Sequence, residues 1–258
     1  MITKITEIVQ QASLLMNSKD VKVEQKGNAS NYVTSADVNV QNFLVEHLQA
    51  LLPGSAVIGE EDAEIAGSEY TWVIDPIDGT SNFIRGLGLS VISVALLKDN
   101  KPYIGVIYFP YREEMFWAKE GEGAFLNGKP IHVSDRDFSH SHLCSAMSLY
   151  DKTLAKPCFR IIERVYSQAD DLRRLGSAAL ELAFLAAGRV ELYFEIRVFP
   201  WDAAAAATIV REAGGFVEFL FHDGLPLKEP FGIIAANTKE NFEKLRTIVY
   251  EEMPNKLY

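Results

Sequence analysis

The sequence predicts an α+β protein whose helices and strands form interleaved layers. Apolar residues recur at helical spacing near the N-terminus, short β-rich runs separated by turn residues begin at Ser90, and helix and strand patterns alternate in the second half. These three observations together exclude an all-helical or an all-β fold.

The first half begins with two helices. Residues Ile2, Ile5, Val9 and Ala12 share one helical face, and a second helix is predicted from Ser35 or Ala36 to Pro53-Gly54. The polar stretch 26–31 between them is read as a flexible connector. Apolar strands are predicted at residues 57–58 and 72–74.

The middle of the chain is predicted to form antiparallel hairpins. The pairs Asp99-Asn100 and Asn127-Gly128 are typical of tight turns. They separate or end four β-rich runs: Val91–Leu97, Tyr103–Phe109, Met115–Ala118 and Ala124–Leu126.

The second half returns to mixed elements. The predicted helices cover Pro157–Tyr166, Ala178–Ala187, Ala203–Ala213 and a C-terminal segment through Ile248. The predicted strands cover Leu143–Leu149, Val190–Glu195, Phe216–Phe219 and Ile233–Ala236.

Composition limits the function classes. The chain has 258 residues, of which 48% are hydrophobic, enough for a large core in one or two closely joined units. A formal charge of −10 without a Lys/Arg-rich run argues against nucleic-acid or anionic-membrane partners. Two cysteines and the lack of a visible signal or spanning segment lead us to expect a cytoplasmic protein.

The segment Trp72–Thr80 carries the strongest chemical signal. An apolar strand leads to Asp75 and Asp78, whose oxygens suit Mg2+. Pro76 lacks an N–H and is expected to stop the strand, leaving the Ile77 carbonyl free. The amides of Gly79 and Thr80 are predicted to begin a short helix that attracts phosphate. Taken alone, the motif also fits an ordinary solvated turn.

Two further apolar segments also lead to acids. Val57-Ile58-Gly59 precedes Glu60 and its acidic neighbours, which alone would be read as a solvated strand end. Phe199-Pro200-Trp201 precedes Asp202, which alone would be read as a helix N-cap or first-turn acid. Since ligands commonly bind at strand ends in layered α/β proteins, we expect the three segments to meet in one pocket.

The Gly-Glu-Glu, Asp-Pro-Ile-Asp-Gly-Thr and Trp-Asp elements, in this order, resemble the inositol monophosphatase family of Mg2+-dependent, lithium-sensitive phosphatases. The resemblance implies the αβαβα sandwich of the inositol monophosphatase and fructose-1,6-bisphosphatase type, a homodimer, and a single domain over 1–258. Within that domain we expect a metal-site lobe, 1–136, and a substrate lobe, 137–258.

The resemblance also implies site roles. Glu60, Asp75 and the Ile77 carbonyl would hold one Mg2+, while Asp75, Asp78 and Asp202 would hold a second. A third, weaker ion is expected near Glu60, which is counted with Thr80 and Asp37 as catalytic. Thr80 would position the attacking water, with Asp37 as its partner acid.

Substrate contacts follow from the same resemblance. Gly79 and Thr80 would bind phosphate, and Asp202 would orient a water that protonates the leaving group. Ser177, Ala178 and Glu195 would contact the polyol, and Lys26 would face the site from a closing loop. The implied substrate is inositol 1-phosphate or a similar small polyol phosphate.

Two alternatives stay open. Arg173, Arg174 and Arg197 are either solvated or paired with local acids, or one of them holds a second phosphate. The second case favours fructose 1,6-bisphosphate, a 3′-phosphonucleotide or NADP as substrate. A regulatory binding protein that retains the fold is the alternative from a different class.

Overall fold

The computed structural model describes residues 1–17, 22–25, 32–61, 64–66, 69–147 and 151–253. Within these ranges the helices are α1 (Ile2–Ser13), α2 (Ser35–Leu51), α3 (Thr80–Ile84), α4 (Ala155–Tyr166), α5 (Ala178–Ala186), α6 (Pro200–Glu212) and α7 (Lys239–Glu252). Of these helices, none combines the length and apolar character needed to cross a lipid bilayer.

Two sheets are formed in the first half of the chain. Strands β1 (Val23–Gln25) and β2 (Tyr32–Thr34) form an antiparallel pair. The larger sheet contains β3 (Ala56–Gly59), β4 (Glu64–Ile65), β5 (Tyr70–Asp78), β6 (Val91–Lys98), β7 (Lys101–Phe109), β8 (Glu114–Lys119), β9 (Gly123–Leu126) and β10 (Lys129–Ile131). Its spatial order is β10-β9-β8-β7-β6-β5-β3-β4, and only the β3–β5 pair is parallel among these described strands.

A third sheet is formed by the second half. It contains β11 (His142–Ala146), β12 (Asp171–Arg173), β13 (Leu192–Val198), β14 (Phe216–Leu220) and β15 (Phe231–Ala236). The order is β12-β11-β13-β15-β14, with β11 parallel to both its neighbours and the remaining pairs antiparallel.

The apolar side chains of these elements define five layers. Helices α1 and α2 pack on one face of the eight-stranded sheet. Helices α5 and α6 fill the space between that sheet and the five-stranded sheet. Helices α4 and α7 cover the outer face of the second sheet. The predicted layered α+β fold, an αβαβα sandwich, is therefore confirmed.

Most predicted elements are present. The hairpin turns have the left-handed backbone expected of them, with φ of 49° and 62° at Asp99 and Asn100 and 48° and 76° at Asn127 and Gly128. The sequence patterns missed the short strands β1, β2, β4, β10 and β12. Lys26 and the whole predicted loop 26–31 lie outside the described residues.

Three predicted boundaries were wrong. Pro76 does not end β5, which continues to Asp78. Strand β13 runs on to Val198, so Glu195 lies within it rather than at its end. Helix α6 begins at Pro200, because proline is well accommodated in the first helical turn. The division into lobes 1–136 and 137–258 stays a prediction.

Candidate active site

The turn that carries Asp75 and Asp78 is a bulge, and it corrects the expectation for Pro76. Asp75 pairs with Ser93 of β6 and Asp78 pairs with Val91, so β5 holds one residue more than its partner over this interval. Because a bulge leaves one residue of the longer strand unpaired, Pro76 can lack an N–H at this point without ending the strand. The Ile77 amide donates to Asp75 Oδ1 at 3.0 Å, which fixes the acid locally.

Three carboxylates meet at this bulge. Oxygens of Asp75, Asp78 and Asp202 lie within 4.8 Å of one another. Asp202 occupies the third position of α6, where its Oδ2 accepts the Phe199 amide at 2.7 Å. The amide fixes one oxygen of Asp202 and leaves the other available to the cluster.

Glu60 adds a fourth acid. Its amide donates to the Ile74 carbonyl at 3.1 Å, which continues the β3–β5 pairing by one residue. Its carboxyl group contacts that of Asp75. The acids that follow separate apolar segments are therefore brought together. Asp62, which follows Glu60 and Glu61 in sequence, lies outside the described residues.

Burial and mutual repulsion shape the electrostatics of this cluster. Burial, followed by the charges of neighbouring acids, holds the pKa of Glu60 and of Asp75 well above the usual range. Burial also raises the pKa of Asp78 to about 6, against hydrogen bonds that lower it, and the pKa of Asp202 to about 8. Such a cluster favours a bound cation, because divalent ions offset the repulsion.

Thr80 and Asp37 are adjacent beside the bulge. Thr80 Oγ1 lies 3.1 Å from the Ile77 carbonyl oxygen and 3.4 Å from Asp37 Oδ1. Asp37 is buried in the first turn of α2, where its other oxygen accepts the Thr34 amide at 2.7 Å in a capping box. Burial raises the pKa of Asp37 to about 6, although the bonds from Thr34 oppose the shift.

The loop before α5 closes the other side of the cavity. Ser177 Oγ donates to Asp78 Oδ2 at 2.7 Å, and the Ala179 amide donates to the same oxygen at 2.6 Å. The Ser177 side chain thus contacts a candidate metal ligand. Glu195 is buried and accepts the Tyr193 hydroxyl at 2.8 Å, and burial raises its pKa.

Of the predicted site residues that the structure describes, all except Asp37, which is adjacent to Thr80, line one cavity. They are Glu60, Asp75, Ile77, Asp78, Gly79, Thr80, Ser177, Ala178, Glu195 and Asp202. The sequence patterns missed Tyr32, which also lines the cavity, because it lies in a three-residue strand with no chemical motif. They also missed Asn82, whose side-chain amide donates to the carbonyls of Leu89 and Leu175 at 2.8 and 2.7 Å.

The three arginines behave differently from one another. Arg174 and Arg197 line the cavity. Arg173 is exposed and pairs with Asp171, which agrees with the prediction that these arginines are solvated or paired with local acids. Arg197 Nη1 lies 3.9 Å from a carboxylate oxygen of Asp151.

Comparisons with known proteins agree with this geometry. A model of the inositol monophosphatase family matches residues 1–253. Nus factor SuhB of Escherichia coli K12 is 38% identical over 200 residues, which cover 76% of this chain and 74% of that protein. Inositol monophosphatase 3 of Solanum lycopersicum is 39% identical over 211 residues, 77% of each protein. The crystal structure of the extragenic suppressor protein suhB from Bartonella henselae superimposes with a TM-score of 0.88 at 31% identity, covering 96% of this chain and 97% of that chain.

Proposed function

Because the chain belongs to the inositol monophosphatase family, we propose that it is a Mg2+-dependent phosphomonoesterase acting on inositol 1-phosphate and similar small polyol phosphates. The observation that carries the proposal is the convergence of four acids, from three separate segments, beside Thr80. The name of the tomato relative supports the choice of substrate.

The donor set fits magnesium. Carboxylate and carbonyl oxygens are the ligands that Mg2+ prefers, and the raised pKa values indicate acids held together at a cost that a cation removes. We assign Glu60, Asp75 and the Ile77 carbonyl to one ion and Asp75, Asp78 and Asp202 to a second. A third ion near Glu60 belongs to the same proposal.

The chain's own groups then orient the reaction. Bound Mg2+ would supply an activated water and stabilise the charge that develops on the phosphate. Thr80 Oγ1 can donate to Asp37, which leaves a lone pair on the hydroxyl oxygen to accept a hydrogen bond from the attacking water. A pKa of about 6 suits Asp37 to hold a proton transiently near neutral pH.

The two ends of the substrate are assigned to different residues that line the cavity. The Gly79 and Thr80 amides would donate to phosphate oxygens, and Asp202 would orient the water that protonates the departing alkoxide. Glu195 would accept hydroxyl groups of the polyol, while Ala178 provides an apolar surface against the ring. Ser177 would contribute through its backbone, because its hydroxyl already donates to Asp78.

Phosphate release from inositol 1-phosphate, with Mg2+ and with a chelator, tests the proposal. We expect turnover only with Mg2+, and a loss in Asp78→Asn larger than the roughly 10–100-fold cost of an outer-shell substitution. Asp135→Asn, an exposed acid that does not line the cavity, is the control. Equal rates with and without Mg2+ would exclude the mechanism. Lithium inhibition and a homodimer are further family properties that we propose for this chain.

A bisphosphate substrate is a second candidate, favoured by the two arginines that line the cavity. Fructose 1,6-bisphosphate, a 3′-phosphonucleotide or NADP could place its second phosphate against Arg174 or Arg197. Arg197→Ala should then raise KM for the doubly phosphorylated compound and not for inositol 1-phosphate. Arg173→Ala removes an arginine that pairs with Asp171 outside the cavity lining, and it is the matched control. Equal effects on both substrates would eliminate this candidate.

A binding role is a third candidate, because several relatives are named Nus factor SuhB rather than phosphatase. Absence of turnover on every phosphate ester, together with a stoichiometric protein partner in a pull-down, would favour it over the enzyme.

A further inference from the structure

Glu181 is a buried carboxylate that the proposed chemistry does not use. It has no exposed surface, and every other residue of α5 is alanine, leucine or phenylalanine. Its Oε1 accepts the amides of Leu175 and Gly176, the latter at 3.1 Å. Its Oε2 is buried without a hydrogen-bond partner among the described residues. Because burying a carboxylate is costly, the bonds that it makes call for an explanation.

Glu181 holds one side of the segment 175–177, and Asn82 holds the other. While Glu181 accepts the amides, the Asn82 side chain donates to the carbonyl oxygens of Leu175 and Gly176 at 2.7 and 3.3 Å. Gly176 has φ of +79°, a left-handed conformation that keeps the segment turned toward Asn82. The backbone of the segment is therefore fixed from both sides.

The segment in turn holds the metal-site bulge. Ser177 Oγ donates to Asp78 Oδ2 at 2.7 Å. A Cβ atom on Gly79 would lie only 3.2 Å from both the Gly176 carbonyl oxygen and Ser177 Cβ, so the two loops are closely packed. A shift of the segment would move the Asp78 carboxylate and change the width of the cavity beside Gly79.

We infer that Glu181 is a positioning residue: its carboxylate fixes segment 175–177, and through Ser177 it orients Asp78 toward the metal and Ala178 toward the substrate. The inference rests on the proposed function for the identity of metal and substrate. The competing explanation is that Glu181 only stabilises the start of α5. In that case, replacing it would change stability without a specific effect on Mg2+ binding.

Three variants separate these explanations. Glu181→Gln keeps an oxygen that can accept both amides, whereas Glu181→Ala removes it. Glu191→Ala is the matched control, because Glu191 is equally buried and accepts the His142 amide at 2.8 Å and Arg136 Nη1 at 2.7 Å, outside the cavity lining. Hydrogen exchange of the peptide containing 175–177, Mg2+ affinity by calorimetry, and KM and kcat would be measured for each.

We expect Glu181→Ala to speed exchange of segment 175–177, to weaken Mg2+ binding by about 10-fold, the lower end for outer-shell groups, and to raise KM. Glu181→Gln should remain close to wild type in all three measurements, because its side-chain oxygen still accepts both amides. Glu191→Ala should lower the melting temperature while leaving Mg2+ affinity and KM unchanged.

Equal Mg2+ affinities in Glu181→Ala and Glu191→Ala would overturn the inference, as would a Glu181→Gln variant as impaired as Glu181→Ala. If Glu181→Ala does not fold, Asn82→Ala releases the same segment from its other side and must show the same pattern. Wild-type protein that binds Mg2+ but releases no phosphate would refute the proposed function and leave exchange and affinity to decide the role of Glu181. Wild-type protein that does not bind Mg2+ would overturn both.

Discussion

Replacing Asp202 by asparagine is expected to stabilise the metal-free protein at pH 8 and to remove most of its stabilisation by Mg2+. Burial first, and then the charge of Asp78, raises the pKa of Asp202 from 3.8 to about 8. Asparagine has nearly the same shape, and its oxygen can still accept the Phe199 amide that Asp202 accepts at 2.7 Å. The substitution therefore removes the charge and keeps the start of α6.

The size of the effect follows from the pKa shift. Because the folded-state pKa lies above the unfolded-state value, ionisation of Asp202 costs stability: the free energy of unfolding is highest below about pH 4 and falls as pH rises toward 8. From pH 5 to pH 8 the loss approaches roughly 4 kcal/mol at 1.36 kcal/mol per pKa unit. Asp202 is partly exposed to the cavity, so solvent screening reduces this figure to about 2 kcal/mol.

Melting curves at pH 5 and pH 8, in a chelator and in saturating Mg2+, measure both effects. About 2 kcal/mol corresponds to a rise of roughly 4–8 °C for Asp202→Asn at pH 8 without metal. Wild type should gain about 2.7 kcal/mol at a Mg2+ concentration one hundred times its dissociation constant, and Asp202→Asn much less. Asp135→Asn is the exposed control. A metal-free Asp202→Asn less stable than wild type at pH 8, or one with the full Mg2+ gain, would refute the reasoning.

Two further predictions concern the core. Gly105→Ala should lower the melting temperature by roughly 2–12 °C, because its Cβ would lie 2.2 Å from the Ala205 carbonyl oxygen and overpacking costs about 1–3 kcal/mol. Gly224→Ala, with nothing within 4 Å, is the control, and equal melting temperatures would contradict the prediction. Cys144 and Cys158 are both buried, and burial raises the pKa of the Cys144 thiol, so neither should react with a thiol reagent before unfolding. Labelling of the native protein at the rate of a free thiol would show this to be wrong.

Local patterns were sufficient for the hairpins, whereas the acids of the candidate site could be predicted only from three segments taken together. The Asp99-Asn100 and Asn127-Gly128 turns need left-handed backbone, which these residue types favour, and no distant contact has to be known. Glu60 and Asp75 were expected to meet because each follows an apolar run, and the structure shows that these runs form the parallel β3–β5 pair.

The boundaries failed where tertiary pairing overrides a local rule. Pro76 removes a donor, but β6 pairs with β5 on both sides of the proline and holds the bulge in the sheet. The predicted strand ends at Glu195, yet β15 pairs with β13 beyond that residue, at Val198 and Phe231. In both cases the partner strand lies elsewhere in the sequence, so the residues near the predicted boundary do not reveal that the strand continues.

The groups that support the site were beyond sequence reasoning for the same reason. Asn82 and the Leu175 carbonyl are 93 residues apart. The one local signal was Glu181 itself, a single acid within a run of alanine, leucine and phenylalanine. A buried acid needs hydrogen-bond donors. The donors to Glu181 are the amides just before the helix, and only the turn at Gly176 shows that they reach its carboxylate.

The alanine run of α6 does more than favour a helix, because it also sets the position of Asp202 in the site. Residues Ala203–Ala207 are all buried, and α6 lies so close to β7 that Gly105 has no room for a Cβ atom beside Ala205. Helix α6 begins two residues before Asp202, so this close approach also sets the depth at which that acid enters the cavity. A larger side chain in the run would displace the helix and move Asp202 away from Asp75 and Asp78. Small residues between the two sheets thus bring together acids that repel one another, and a bound cation would offset that repulsion.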